Sequence, residues 1–291
     1  MFWKSKKSVL RSKGEKIFLA VTGIILLAWS LTIIYPFFWM LINSFKDFES
    51  FNSNTMNFPE KWHFENWITG YLNLWAMTPS GVKVEFFELI LNSLWYTFIG
   101  AFLSLIPCVM FSYAIAKYEF RYKHFLYVFA VIIMMIPIYG SMPANVKIFN
   151  DWGLTDTPFF LIGAMGVIGG STWLILTSFM ESLPWSYAEA TFIDGGGHTT
   201  VLLRIMLPMC TPILIALYVM NCIGRWNDYM TPYIYLPSYP TLATGLLVFG
   251  NSLNKPIYFV SMLISVIPIF IVYALFQNQI MNNVTIGGLK G

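Results

Sequence analysis

Residues 17–42 read IFLAVTGIILLAWSLTIIYPFFWMLI, and the reading of this run decides the fold. It carries no Lys, Arg, Asp or Glu over 26 residues. A helix needs about 20 consecutive apolar residues to cross a bilayer, so this run is long enough to span. A secretory leader has an apolar core of only roughly 7–15 residues, so an uncleaved membrane helix is expected instead. The sequence before it, MFWKSKKSVLRSKGEK, is basic and forms a separate N-terminal segment, residues 1–16.

Five further uncharged runs follow, at residues 89–116, 125–146, 158–180, 205–223 and 256–280. Together they imply an all-α integral membrane protein with six transmembrane helices in one domain, residues 17–291. Composition agrees: 57% hydrophobic and 11% charged residues leave too little charge to cover a soluble domain of this length. A seventh uncharged run, residues 229–250, holds Pro232, Pro237 and Pro240. Each proline removes a backbone donor, and lipid cannot satisfy the carbonyls so freed. A loop or re-entrant segment shielded by protein is expected there. The net charge of +3, without a basic–aromatic cluster, argues against nucleic acid. Cys108, Cys210 and Cys222 lie in or beside apolar runs, and no Cys or His spacing suits a metal, so unpaired thiols are expected.

Six spans place both termini on one side of the membrane. The basic residues of the N-terminal segment, the stretch KYEFRYKH at 117–124, Arg204 and Lys290 fall on that side, which the positive-inside rule makes cytoplasmic. The opposite loops carry more acids, among them Asp47, Glu49 and Glu60. The long loop from Asn43 to Glu88 is rich in Trp and Phe. It reads either as an aromatic belt at the headgroups or as a docking face for an external partner.

Between the fourth and fifth runs stands YAEATFIDGGGHTTVLLRIMLP, residues 187–208, on the cytoplasmic side. The polar insert is bounded at 181–208. Pro184 suits the first turn of a short helix, Asp194 and Gly195–Gly197 stop it, and His198 or Thr199 can cap a second helix running into the fifth span. The glycines form no phosphate cradle, since G-x-x-x-x-G-K-[ST] is missing. Glu189 and Asp194 form a single local cluster with no second group placed to orient a substrate, so catalysis is not expected. The remaining readings are a plain connector and a surface that docks another protein, with Ala188, Ala190 and the glycines permitting close approach.

Here the sequence resembles the EAA motif of ATP-binding-cassette importer permeases, which in the carbohydrate, maltose-type branch reads E-A-A-x-x-x-D-G-A and then I-x-L-P. Glu189, Ala190, Asp194, Gly195, Ile205, Leu207 and Pro208 match, while Thr191 and Gly196 each replace an alanine. GRWNDYMTP at 224–232, TLATGL at 241–246 and the tail VTIGGLKG at 284–291 are similar to further segments of that branch. The resemblance covers nearly the whole chain.

The resemblance implies a type I importer permease fold with a cytoplasmic coupling helix, in a bacterial cell membrane. It implies a second permease, identical or homologous, and two cytoplasmic ATPases that bind ATP and Mg²⁺; this chain binds no cofactor and does no chemistry. It also implies an external solute-binding protein and a sugar or oligosaccharide cargo. Glu189, Ala190, Asp194, Gly195, Gly196, Leu207 and Pro208 would couple to the ATPase. Asn251, Ser252, Leu253 and Asn254 would touch the binding protein, and the tail GGLKG would lie near the ATPases. Asn227 and Asp228 are candidates for a gate or a hydrogen-bond cluster, since ionisable groups at membrane depth are usually paired. Asn92, Ser93, Ser104, Ser112 and Thr177 read as a polar path or as helix-packing residues, the latter favoured. The alternatives are an importer permease for another solute and a secondary transporter. The second would place ionisable groups inside the spans, and these runs have none.

Overall fold

The computed structural model describes residues 13–72, 75–77, 81, 83–136, 140–165, 170–252 and 254–284. The expected basic residues before Lys13, Leu253 and the GGLKG tail lie outside that set. The first apolar run forms helix α1, Lys13–Asn43, about 46 Å long at 1.5 Å per residue. Its side chains are almost all exposed, and only Asn43 at its end is buried, so the rest of the chain leaves nearly the whole helix uncovered. Four described helices are long and apolar enough to cross a membrane: α1, Phe86–Lys117, His198–Trp226 and Lys255–Gln277.

The loop after α1 is folded, not extended. Helix α2, Phe48–Ser53, is capped by Asp47, whose Oδ1 accepts from the Ser50 N–H at 3.0 Å. Asn66 leads helix α3, Glu65–Leu72, and its Nδ2 donates to the carbonyls of Ser44 and Lys46 at 2.9 and 2.7 Å. Phe45 stands among Trp62, Phe64 and Trp67, with ring centroids 5.2–5.7 Å away. A two-stranded antiparallel hairpin follows, β1 at Trp75–Met77 and β2 at Lys83–Glu85, a small departure from the all-helical expectation.

Helix α4, Phe86–Lys117, is the central post. Two of the expected spans beside it are broken. The run 125–146 divides into α5, Lys123–Met135, and α6, Ser141–Asp151. Ile136 is extended, as the residue before Pro137 is forced to be, and Gly140 takes a left-handed φ of +87°. The run 158–180 divides into α7, Phe160–Gly163, and α8, Ser171–Ser182, and Gly170 has φ +96° where α8 begins. Gly140 and Gly170 turn the chain where a side chain would be strained.

Helix α9, Ser186–Ile193, belongs to the insert. After it come α10, His198–Thr200, a π-helical stretch at Val201–Met206, and α11, Leu207–Trp226. The proline-rich run holds two short helices, α12, Met230–Tyr235, and α13, Leu242–Ser252, with Pro232, Leu236 and Thr241 buried. This is the protein-shielded, non-spanning segment that its prolines require. Helix α14, Lys255–Val284, closes the bundle, packing on α11 and α1.

In lipid there is little hydrophobic drive between helices, so packing and interhelical hydrogen bonds hold them. Leu176, Met180, Met206, Cys210 and Ile213 meet between α8, α11 and α4 with at most 1% exposure. Ser112 Oγ accepts from Thr177 Oγ1 at 3.1 Å, joining α4 to α8. Asn92 Nδ2 donates to the Pro240 carbonyl at 3.1 Å, and Ser93 Oγ accepts from the Leu242 N–H at 2.6 Å, fixing α13 on α4. Ser104 bonds back to Ala101 in its own helix. These polar residues therefore serve packing and local bonding, the favoured reading of the sequence. The three cysteines are free.

Candidate functional site

The insert is built outward from its own backbone. Trp185 precedes the first turn of α9, and Asp194 ends the helix. Gly195 follows with φ +81°. The Gly196 N–H donates to the Thr191 carbonyl at 2.9 Å and the Gly195 N–H to the Phe192 carbonyl at 3.0 Å. This is a complete Schellman ending, which requires a left-handed residue and so favours glycine. A Cβ on Gly196 would meet Thr191 Cγ2 at 2.7 Å, so Gly196 is required by close approach and not by its φ. Gly197, not His198 or Thr199, stands at the start of the next helix, so the expected side-chain cap is replaced by a glycine entering in extended conformation.

Both flanks of α9 are tied down. Ala188 is fully buried, packed in one cluster with Val201, Met206 and Met180. Tyr118, just past α4, hydrogen-bonds His198 Nδ1 at 2.7 Å and Tyr113 at 3.1 Å. Lys117 Nζ donates to the Leu183 carbonyl. Phe192 packs against Trp185 and His198 at centroid distances of 6.2 and 5.0 Å. Past His198 the helix widens to a π-turn, then tightens at Leu207. Pro208 cannot donate to the Arg204 carbonyl and would crowd it in a regular helix, so the wide turn ending just before it relieves that conflict.

The outward face of α9 is left bare. Glu189, Ala190 and Asp194 are exposed, and the carboxylates of Glu189 and Asp194 make no hydrogen bond or ion pair among the described residues. Ile193 is 86% exposed and Tyr187 is 47% exposed beside them. The sequence reading picked out the acids and small residues, and His198 only as a cap, but missed Ile193, Tyr187, Lys117 and Tyr118. An isoleucine immediately before a helix-ending Asp-Gly could have been flagged, whereas the Tyr118–His198 contact joins residues 80 positions apart.

A second polar constellation lies far along α4. Tyr96 OH donates to Asp228 Oδ2 at 2.9 Å, and Asp228 Oδ1 accepts from the Thr231 N–H at 3.0 Å. The Arg225 guanidinium lies 5.7 Å from the Tyr96 ring centroid. These residues border a cleft of about 580 Å³, together with Phe160, Ser171, Thr172 and Asn221. Asp228 is thus in a hydrogen-bond cluster, whereas Asn227 is exposed and bonds back to Ile223 in its own helix, away from the cleft. Tyr96 and Lys117 are separated by about 30 Å of α4 at 1.5 Å per residue, so one helix joins cleft and insert.

Of the remaining candidates, Asn251 and Ser252 end α13, and the Asn254 carbonyl accepts from the Tyr258 N–H at 3.0 Å. Among the described residues no cluster of His, Cys, Asp or Glu could hold a metal ion.

The chain is similar to curated proteins along most of its length. It is 26% identical to the diacetylchitobiose uptake system permease protein of Streptomyces coelicolor, over 96% of this chain and 91% of that one. It is 26% identical to the arabinooligosaccharides transport system permease protein of Halalkalibacterium halodurans, over 91% and 98%. Among solved structures, a bacterial ABC transporter involved in the import of the acidic polysaccharide alginate contains a chain with TM-score 0.75. That match covers 93% of this chain and 99% of that one at 21% identity, so the two share the type I importer permease fold. Residues 108–285, more than half of the sequence and including the whole insert, match the family described as binding-protein-dependent transport system inner membrane component, and the chain belongs to that family.

Proposed function

We propose that this chain is the membrane-spanning permease subunit of an ATP-driven saccharide importer. It forms the pathway with a second permease, and α9 seats in a cleft of a cytoplasmic ATPase that binds ATP and Mg²⁺. An external binding protein delivers the cargo to the opposite face and contacts Asn251, Ser252, Leu253 and Asn254. Both termini are cytoplasmic and the membrane is the bacterial cell membrane. The saccharide assignment is supported by the relatives named above, which are permease proteins of a diacetylchitobiose uptake system and an arabinooligosaccharides transport system.

The observation that carries the coupling role is the bare face of α9. A short helix is held at both ends by membrane helices, yet presents Ile193 and two unpartnered acids. A large apolar side chain surrounded by polar groups is the usual form of an interface anchor. Rigid-body closure of an ATPase pair would push on this face, and α4 and α11 would carry the displacement.

Ile193→Asp and Glu189→Lys in the reconstituted complex test this. Each is expected to lower cargo-stimulated ATPase activity at least tenfold with the permease still inserted. Wild-type stimulation in both variants would refute the docking role.

A further inference from the structure

The cleft bordered by Arg225 holds a guanidinium without a direct ion-pair partner among the described residues. Asp228, the carboxylate in the lining, accepts instead from Tyr96 OH and the Thr231 N–H. Among the described residues the Arg225 guanidinium makes no hydrogen bond and no ion pair. It is nevertheless placed with care. A Cβ at Gly100 would stand 2.8 Å from Arg225 Nη1, so the absence of a side chain on α4 makes the berth in which the guanidinium lies. Tyr96, one turn before Gly100 on the same helix, supports it with its ring. A guanidinium held by packing and left without an ion pair at the wall of an open cleft is poised to take an anion.

We infer that this cleft is a carboxylate-recognising subsite and that its ligand is an acidic saccharide, a uronate-bearing sugar chain. The inference rests on the importer reading above and names the class of its cargo. A planar guanidinium offers paired N–H donors that match a carboxylate in bidentate fashion, which a hydroxyl does not. The rest of the lining suits the sugar. Ser171 and Thr172 hydroxyls have no hydrogen-bond partner among the described residues, and Asn221 donates to Leu217 while its Oδ1 is free to accept. The volume of about 580 Å³ lies within the roughly 300–1,000 Å³ of small-ligand sites.

Two measurements on the assembled transporter test the inference, one of them independent of transport. Thr172→Cys places a thiol on the cleft wall. Its modification rate by an anionic methanethiosulfonate, divided by that for a cationic one, reads the local charge. The ratio should exceed that of a free thiol and fall at least about tenfold when Arg225→Gln is added. An unchanged ratio overturns the inference, because Arg225 is then answered by a carboxylate of another subunit. Uptake of a glucuronate-containing disaccharide is compared with that of its neutral glucose counterpart in proteoliposomes. The acidic-to-neutral ratio should fall at least tenfold in Arg225→Gln and less in Arg225→Lys, which keeps the charge without the fork. Equal loss of both sugars, or a wild type that carries only the neutral one, overturns the acidic-cargo assignment. If no sugar is carried while the labelling ratio behaves as expected, the importer reading fails and the anion subsite stands. Should Arg225→Gln assemble poorly, Gly100→Ala displaces the guanidinium from its berth without removing it and is read by the same ratios.

Discussion

The ending of α9 contains two residues that trade volume, and the trade can be measured. Where the related motif has an alanine in each place, this chain has Thr191 and Gly196. A Cβ at 196 would lie 2.7 Å from Thr191 Cγ2 and 3.0 Å from the Thr191 carbonyl oxygen. A relaxed carbon pair sits at about 3.5–4.0 Å, so the first contact is a hard overlap. The Thr191 methyl cannot rotate away cheaply, because its Oγ1 donates to the Tyr187 carbonyl at 2.8 Å and fixes the rotamer. Gly196→Ala alone should therefore cost about 1–3 kcal/mol, the usual range for overpacking. Thr191→Ala alone should be nearly neutral, since a lost local hydrogen bond is offset by better helix propensity, about 0.5 kcal/mol in alanine's favour. The double variant removes Cγ2 and should recover most of the loss, a coupling of about 1–2 kcal/mol. Gly195→Ala is the control: its Cβ meets nothing within 4 Å, its strain comes from φ +81°, and Thr191→Ala should not relieve it. Amide hydrogen exchange at residues 193–196 in the reconstituted protein reads these changes, with about 1.4 kcal/mol appearing as a tenfold faster rate. Additive effects of Gly196→Ala and Thr191→Ala would refute the reasoning.

Other perturbations follow from single contacts. Tyr118→Phe removes the hydroxyl shared by His198 and Tyr113, and should loosen the insert by about 0.5–1.5 kcal/mol per lost bond, visible as faster exchange in α9 but not in α13. Gly245→Ala drives a Cβ into Leu89, and should lower the thermal midpoint in nanodiscs, with Leu89→Ala partly restoring it. The Asp47 carboxyl is held below the usual carboxylate range by hydrogen bonds from the Ser50 side chain and backbone N–H. A carboxyl depressed in the folded state contributes fully above its unfolded value, about 3.9, and the contribution is lost as pH falls through the lower folded value. Tryptophan fluorescence of the 43–72 loop should therefore change on acidification below that point, and Asp47→Asn, a neutral cap, should shift the change.

Much of this was legible in the chain. Apolar runs long enough for a bilayer gave α1, α4, α11 and α14, because length and the lack of charge are all that a span requires. The stop at Asp194–Gly197 was legible because a left-handed residue is needed to close a helix. The breaks after Met135 and before Ser171 were missed, although Pro137 and the glycines 163, 166, 169 and 170 were available as signals. Hydropathy stays high through such a run because it does not respond to a missing donor. The candidate pair Asn227 and Asp228 was adjacent in sequence, yet the end of α11 turns one toward the cleft and the other away.

The sequence by itself determined that this chain lives in a bilayer, that it exposes one polar insert, and where that insert's helix ends. Those properties follow from local composition and backbone sterics. Tertiary structure alone decided which side chains the insert leaves bare, that Tyr118 and Lys117 anchor it, and that Arg225 rests against Gly100. Each of these depends on contacts between residues far apart in the chain, and no pattern within a window of sequence encodes such a distance.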